Sequence, residues 1–239
     1  PFSITISGSQ HIIAEEYNYS TGKGRIVDIQ TGKVLLDNEN HLSFPFPIRM
    51  NGKQYILPEC SAGNTLSAFS IVPSEPKISL LDVAAVDPVI VEYENRFWLF
   101  CNIAKRQNNS ALFIFYSETI DGTYTAHKLN PVKIDIGNSR PAGIPVIVNG
   151  KLLRPAQNSS NGYGGEIIVN EITDLTPYRF SEQPINTISP DHEWQYNQGL
   201  HTVSPLGENQ TLIDAKAYRF NFANFKAQCK RKTGRLFRK

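Results

Sequence analysis

The chain has 239 residues, 40% hydrophobic and 19% charged, with 13 Phe, 10 Tyr and 2 Trp. That is enough apolar material for a large core, and it excludes a globally disordered chain. A single Met against 16 Gly and 15 Pro is unlike a helical bundle and suits short strands joined by many turns.

The formal net charge of +2 hides an asymmetry. Residues 226–239 carry seven cations and no acid, which leaves 17 cations against 22 anions in the body, a balance of −5. A mildly acidic body does not suit nucleic-acid binding, which rests on neutralising phosphates. No apolar run approaches the roughly 18 residues of a membrane helix, so no transmembrane segment is expected. The chain opens at Pro1 with no signal-like leader, as an internal fragment or processed product would. Cys60, Cys101 and Cys229 are widely spaced and form no CxxC pair, which fits reduced thiols and a cytoplasmic setting. The sequons at Asn18, Asn108, Asn158 and Asn209 would matter only in a secretory lumen.

In chain order, strands at 1–6 and 11–15 flank the turn Ser7-Gly8-Ser9. The stretch 43–59 reads as an apolar strand, an Asn51-Gly52 turn and a second strand. The same shape returns at 86–100, 43 positions on, with Pro45 matching Pro88 and Lys53 matching Arg96. It returns again at 142–154 around Asn149-Gly150, and a fifth copy spans 202–214. Asn-Gly is a strong hairpin signal because the two-residue turn needs positive φ. Each hairpin is followed by a further strand, at 24–29, 66–72, 111–117, 166–172 and 217–221. Three or four strands per unit, repeated at intervals of 40–60 residues, predict a five-bladed β-propeller over 1–222, its first blade truncated, followed by a basic tail at 223–239. A sandwich would supply short strands too, but it gives no reason for the recurring hairpin. Trp98 is expected to be buried between blades.

Inner strands of a propeller line a central tunnel, so polar residues at their starts are site candidates. Asp87 lies between Ala84-Ala85-Val86 and Pro88-Val89-Ile90, as either a functional carboxylate or a turn cap before an X-Pro strand. Arg140 and Arg154 sit on two strands of one hairpin in apolar surroundings, and each needs a carboxylate or an anionic ligand. Glu15, Glu59 and Glu171 follow apolar strands, and two carboxylates roughly 5–9 Å apart would serve glycoside hydrolysis. His201 and His41 stand at inner-strand starts as a base, a sugar partner or a satisfied polar group. No GxGxxG, GxxxxGK[ST], GxSxG, HExxH or EF-hand pattern occurs, so no cofactor and no metal are expected.

His41-Leu42-Ser43-Phe44-Pro45-Phe46, Tyr55-Ile56-Leu57-Pro58-Glu59, Val86-Asp87-Pro88, Phe97-Trp98-Leu99-Phe100, Arg154-Pro155-Ala156-Gln157 and Tyr163-Gly164 carry a resemblance through about residues 1–220. In that order they resemble the propeller on the N-terminal side of plant glucosamine inositolphosphorylceramide transferases and bacterial polysaccharide-biosynthesis relatives. More remotely, the chain resembles the five-bladed furanosidase-like superfamily that includes glycoside hydrolase family 43. The resemblance implies a carbohydrate-active propeller that binds or processes a glycan, sugar-phosphate or nucleotide-sugar in glycoconjugate biosynthesis. It also implies a linked or associated transferase domain as partner. The expected catalytic carboxylates are Asp87, Glu59 and Glu15, and the expected substrate-binding residues are Arg140, Arg154, His201, His41, Gln157 and Tyr163. The hydrolases use three carboxylates, whereas Ser43-Phe44 and Arg140 stand where two of those acids would be. A noncatalytic scaffold or interaction propeller is the alternative.

Overall fold

The computed structural model describes residues 1–60, 62–106, 110–207, 209–218, 221–222, 224–226 and 229. Four antiparallel sheets follow one another along the chain as blades. The first is β1 (Phe2–Ile6), β2 (Ser9–Asn18), β3 (Lys23–Asp28) and β4 (Val34–Leu36) in that spatial order. The second is β5 (Ser43–Met50), β6 (Lys53–Glu59), β7 (Leu66–Ser70) and β8 (Ile78–Leu81). In the third, β9 (Ala85–Tyr93), β10 (Arg96–Ile103) and β11 (Ala111–Ser117) run side by side. The short β12 (Thr125–Ala126) and β13 (Lys133–Ile134) both pair with β11. The fourth is β14 (Val146–Val148), β15 (Lys151–Asn158), β16 (Glu166–Leu175) and β17 (Phe180–Ile188).

The last unit is a two-stranded sheet of β18 (Val203–Pro205) and β19 (Thr211–Ile213). The expected five blades are therefore four blades and a hairpin. The first blade carries a full set of four strands, and the short unit is the last. Residues 217–221, expected as its third strand, hold no strand among those described. The described helical residues are Phe222, Asn224, Phe225, Lys226 and Cys229, and no described helix is long and apolar enough to cross a membrane. Most of the 223–239 tail, and the Asn108 sequon, lie outside the described residues.

The turns explain the repeat. Ser7-Gly8, Asn51-Gly52, Glu94-Asn95 and Asn149-Gly150 all have positive φ at both central residues, between 50° and 82°. That is the twist-matched geometry of a tight hairpin, and it joins the first two strands of every blade. The ring closes through the hairpin: Val203 forms a parallel bridge to Gly143 ahead of β14, and the Ser204 hydroxyl donates to the Pro1 carbonyl ahead of β1. One large apolar cluster fills the first three blades and reaches Leu152, Ile172 and Leu175 of the fourth. Trp98 is buried in it, its indole N–H donating to the Tyr93 carbonyl at 3.1 Å. A second cluster has only Ala142, Ile167 and Leu200 as fully buried members, under the fourth blade and the hairpin.

Candidate functional site

The leading residues of the five units converge on a cavity of about 490 Å³. It is lined by Pro1, Phe2, Ser43, Phe44, Asp87, Arg140, His201 and Thr202, with Glu15, His41, Glu59, Tyr163 and Asp214 between them. Its apolar side includes Phe2 and Phe44, whose rings meet edge to face at 5.0 Å.

Asp87 is at the centre of the polar side. It sits in a β-bulge of β9, where the pairing with β10 slips between Phe100 and Asn102, and its φ is +48°. A bulge re-aims a side chain that the regular pleat would send elsewhere. Asp87 is 3% exposed, and its Oδ2 accepts from Arg140 Nε at 2.5 Å and from Gln157 Nε2 at 2.8 Å. The Asp87 backbone N–H donates to Glu59 Oε2 at 3.3 Å.

Glu59, the last residue of β6, is buried beside this pair. Burial first, then the Asp87 charge and a hydrogen bond between the two carboxyl groups, push its pKa up to about 8 against the pull of Arg140. Arg140 Nη2 lies 3.9 Å from Glu59, and the guanidinium sits 5.0 Å from the centroid of the Tyr163 ring. Burial alone would lower the Arg140 pKa, but Asp87 foremost, with Tyr163 and Glu59, more than offsets it and the group stays charged.

Across the cavity, Asp214 holds His201. Asp214 Oδ2 bonds His201 Nδ1, while Oδ1 accepts the backbone N–H of His201 at 3.0 Å and of Thr202 at 2.8 Å. Burial favours the protonated Asp214, but the His201 contacts outweigh it and hold the pKa below its usual value. Tyr163 leans its ring on His201 with centroids 5.6 Å apart. On the rim, Glu15 is pushed up to about 7, chiefly by burial and partly by Asp87, with His201 opposing. Its Oε1 lies 3.8 Å from His41 Nε2. His41 Nδ1 accepts the Gly24 backbone N–H at 2.7 Å, and burial lowers the His41 pKa.

Asp87, Glu59, Glu15, Arg140, His201, His41 and Tyr163 thus line one cavity. Two expected binding residues do not. Gln157 is fully buried behind Asp87, with Nε2 shared between Asp87 and the Pro141 carbonyl at 2.9 Å. Arg154, also fully buried, is held inside the fourth blade by Glu182, at 2.8 Å through Nε and 2.6 Å through Nη2, and by the Asn138 carbonyl at 2.9 Å. The need for a counter-charge is met by a carboxylate from β17, not by a ligand. Burial favours protonated Glu182, but Arg154 and then Lys133 hold its pKa low. Sequence reasoning passed over Asp214, although one signal was available. Continuing the β18–β19 register one step beyond Val203–Ile213 puts Asp214 opposite Thr202.

Among the described residues no group of three or more His, Cys, Asp and Glu is arranged to hold an ion. In comparisons with known proteins, residues 15–199, well over half of the chain, match the family "Glucosamine inositolphosphorylceramide transferase 1, N-terminal". Glucosamine inositolphosphorylceramide transferase 1 of Oryza sativa subsp. japonica is 31% identical over 162 residues, covering 64% of this chain and 22% of that protein. The Arabidopsis thaliana protein of the same name is 33% identical over 159 residues, covering 62% and 21%. The chain thus spans about a fifth of the length of these relatives. A thermostable family-43 glycoside hydrolase superimposes with a TM-score of 0.55 at 12% identity, covering 79% of this chain and 75% of that one, a likeness of fold. The chain belongs to the glucosamine inositolphosphorylceramide transferase 1 N-terminal family.

Proposed function

We propose that the cavity binds a sugar unit presenting hydroxyl or ammonium groups, and that it holds the sugar without hydrolysing it. The observation that carries this reading is the set of carboxyl groups gathered around one committed guanidinium. Glu15, Glu59, Asp87 and Asp214 all line the cavity, while the guanidinium there, Arg140, is engaged by Asp87 at 2.5 Å. Such a surface is rich in acceptors and poor in uncommitted cations, so it favours hydrogen-bond donors over phosphate. The sequence expectation of an anionic ligand drew on two guanidiniums, and Arg154 lies outside the cavity.

Hydrolysis needs two carboxyl groups on opposite sides of the scissile bond, roughly 5–9 Å apart. Asp87 and Glu59 lie side by side against the guanidinium of Arg140, at 2.5 and 3.9 Å, and not on opposite sides of a bound sugar. The relatives are named as transferases of glucosamine, an amino sugar, and the propeller is then the sugar-holding part of a longer transferase whose chemistry is carried by a linked domain.

Saturation-transfer NMR of the chain with glucose, glucosamine, glucose 6-phosphate and a nucleotide sugar tests this. Transfer to glucose or glucosamine, lost in Asp87→Asn, is the expected result. Transfer confined to the phosphorylated members would overturn the ligand class, and turnover of an aryl glycoside would overturn the non-hydrolytic reading.

A further inference from the structure

We propose that Asp214 is a positioning residue for the sugar. It locks His201 in the tautomer that carries its proton on Nδ1, so that Nε2 faces the cavity as a fixed acceptor for a ligand O–H or N–H. This rests on the sugar-binding reading and assigns the residues that would set its specificity.

A carboxylate beside one imidazole nitrogen selects the tautomer, because the ionised oxygen can only accept and the ring nitrogen facing it must donate. Asp214 is suited to that task because it cannot swing away. Its Oδ1 is fixed by two backbone N–H groups, at 3.0 and 2.8 Å, leaving Oδ2 for His201 Nδ1. The Asp214 backbone N–H returns a bond to the Thr202 carbonyl at 3.2 Å, so the carboxylate is tied to the strand that carries the ring.

The ring is held from its other side too. Gly164, at φ +59°, packs so closely that a Cβ there would lie 2.8 Å from the Cβ of His201. A Cβ on Gly199 would come within 2.1 Å of the Gly164 carbonyl oxygen. Two glycines therefore let the loop carrying Tyr163 rest directly on the His201 segment, and Lys216 Nζ fastens that loop by donating to the Tyr163 carbonyl. The His201 side chain remains 37% exposed and lines the cavity, while its Nε2 has no hydrogen-bond partner among the described residues. A fixed acceptor facing a polar cavity discriminates strongly, because a ligand lacking the matching donor leaves it unpaired.

The test is long-range ¹H–¹⁵N NMR of the His201 ring in the full chain, with glucosamine and glucose titrated in. At a pH high enough for the ring to be neutral, wild type should show Nδ1 protonated and Nε2 bare, with the Nε2 resonance moving as either sugar binds. Asp214→Asn should reverse the tautomer, because the amide oxygen is claimed by the two backbone N–H groups and the NH2 then donates to Nδ1, and binding should weaken about tenfold, the equivalent of one lost hydrogen bond. If Asp214→Asn does not fold, His201→Gln and His201→Leu decide the matter. Leu has neither a donor for Asp214 nor an acceptor for the ligand, whereas Gln can place an acceptor near the former Nε2, so Gln should bind at least several-fold more tightly than Leu. A wild-type ring protonated on Nε2, or equal binding by His201→Leu and wild type, would overturn the proposal and leave the sugar-binding reading standing. No binding of either sugar by wild type would overturn both.

Discussion

Phe44 and Asp87 occupy the same position in successive blades. Each is the extra residue of a bulge where the inner strand begins, each has a left-handed φ (45° and 48°), and each is followed by a proline. Left-handed backbone is uncommon outside glycine, and for a bulky side chain such as Phe44 it persists only where the surroundings enforce it. In the second blade the bulge turns a phenyl ring onto Phe2. In the third it turns a carboxylate onto Arg140. One backbone device thus supplies both an apolar and a charged wall of the cavity.

Asp87→Asn tests the coupling between the two buried carboxyls. Asn tolerates the left-handed backbone, so the fold should persist while the charge is lost. Glu59 then loses the neighbour that raises its pKa and keeps Arg140, which lowers it. Its pKa should fall from about 8 toward the ordinary carboxylate range. Carbon-13 NMR titration of the Glu59 side chain measures this, and an unchanged value would show that burial alone sets it.

Stability should decline as pH rises through neutrality. In the folded state Glu59 and Glu15 are pushed up to about 8 and about 7, against an unfolded reference of 4.5. Their stabilising contribution is therefore fully present below about pH 4.5. It is lost as pH climbs to 8, because the folded chain holds protons that the unfolded chain has released. Asp214 and Glu182, held low, act oppositely and weaken the fold only as pH falls below the usual carboxylate range. Melting temperatures at pH 5, 7 and 9 should therefore decrease in that order. Glu59→Gln should flatten the slope.

Arg154→Ala should damage the fold and spare the cavity. Removing one partner of a buried pair strands the other and typically costs about 3–5 kcal/mol. Here Glu182 would retain Lys133 at 2.9 Å, which places the expected loss near the lower end. Chemical denaturation measures that loss, and sugar affinity per folded molecule should stay at the wild-type value. A selective loss of affinity would return Arg154 to the binding residues.

Gly143→Ala should detach the terminal hairpin. Gly143 has φ +136°, and a Cβ there would lie 1.7 Å from the Val203 carbonyl oxygen. The bond from the Val203 N–H to the Ala142 carbonyl, 2.7 Å long, would be broken. Amide exchange at Val203 should accelerate well before the first three blades respond, because the cluster beneath the hairpin is small. The hairpin carries His201 and Asp214, so sugar contacts should weaken with it.

Much of the architecture was legible in the sequence because it is local. Positive-φ turn pairs, period-two strands and X-Pro starts depend on near neighbours, and their recurrence located the blades and the leading residues of the inner strands. Asp87, Arg140 and His201 were found as site candidates for that reason. The last unit was overcounted because a hairpin signal fixes two strands and says nothing of further strands packed outside them.

Arg140-Pro141-Ala142 and Arg154-Pro155-Ala156 show the limit. The tripeptides are identical and face each other across one hairpin, with Pro141 bridged to Ala156. Nothing local separates their roles. Asp87, 53 residues before Arg140, engages it at the cavity, while Glu182, 28 residues after Arg154, seals that residue inside the blade. The sequence by itself determined that each arginine needs a carboxylate or an anionic ligand, since an unpaired buried charge is too costly. Which carboxylate, and hence which arginine faces the cavity, depends on the packing of distant strands, and only the tertiary structure decided it.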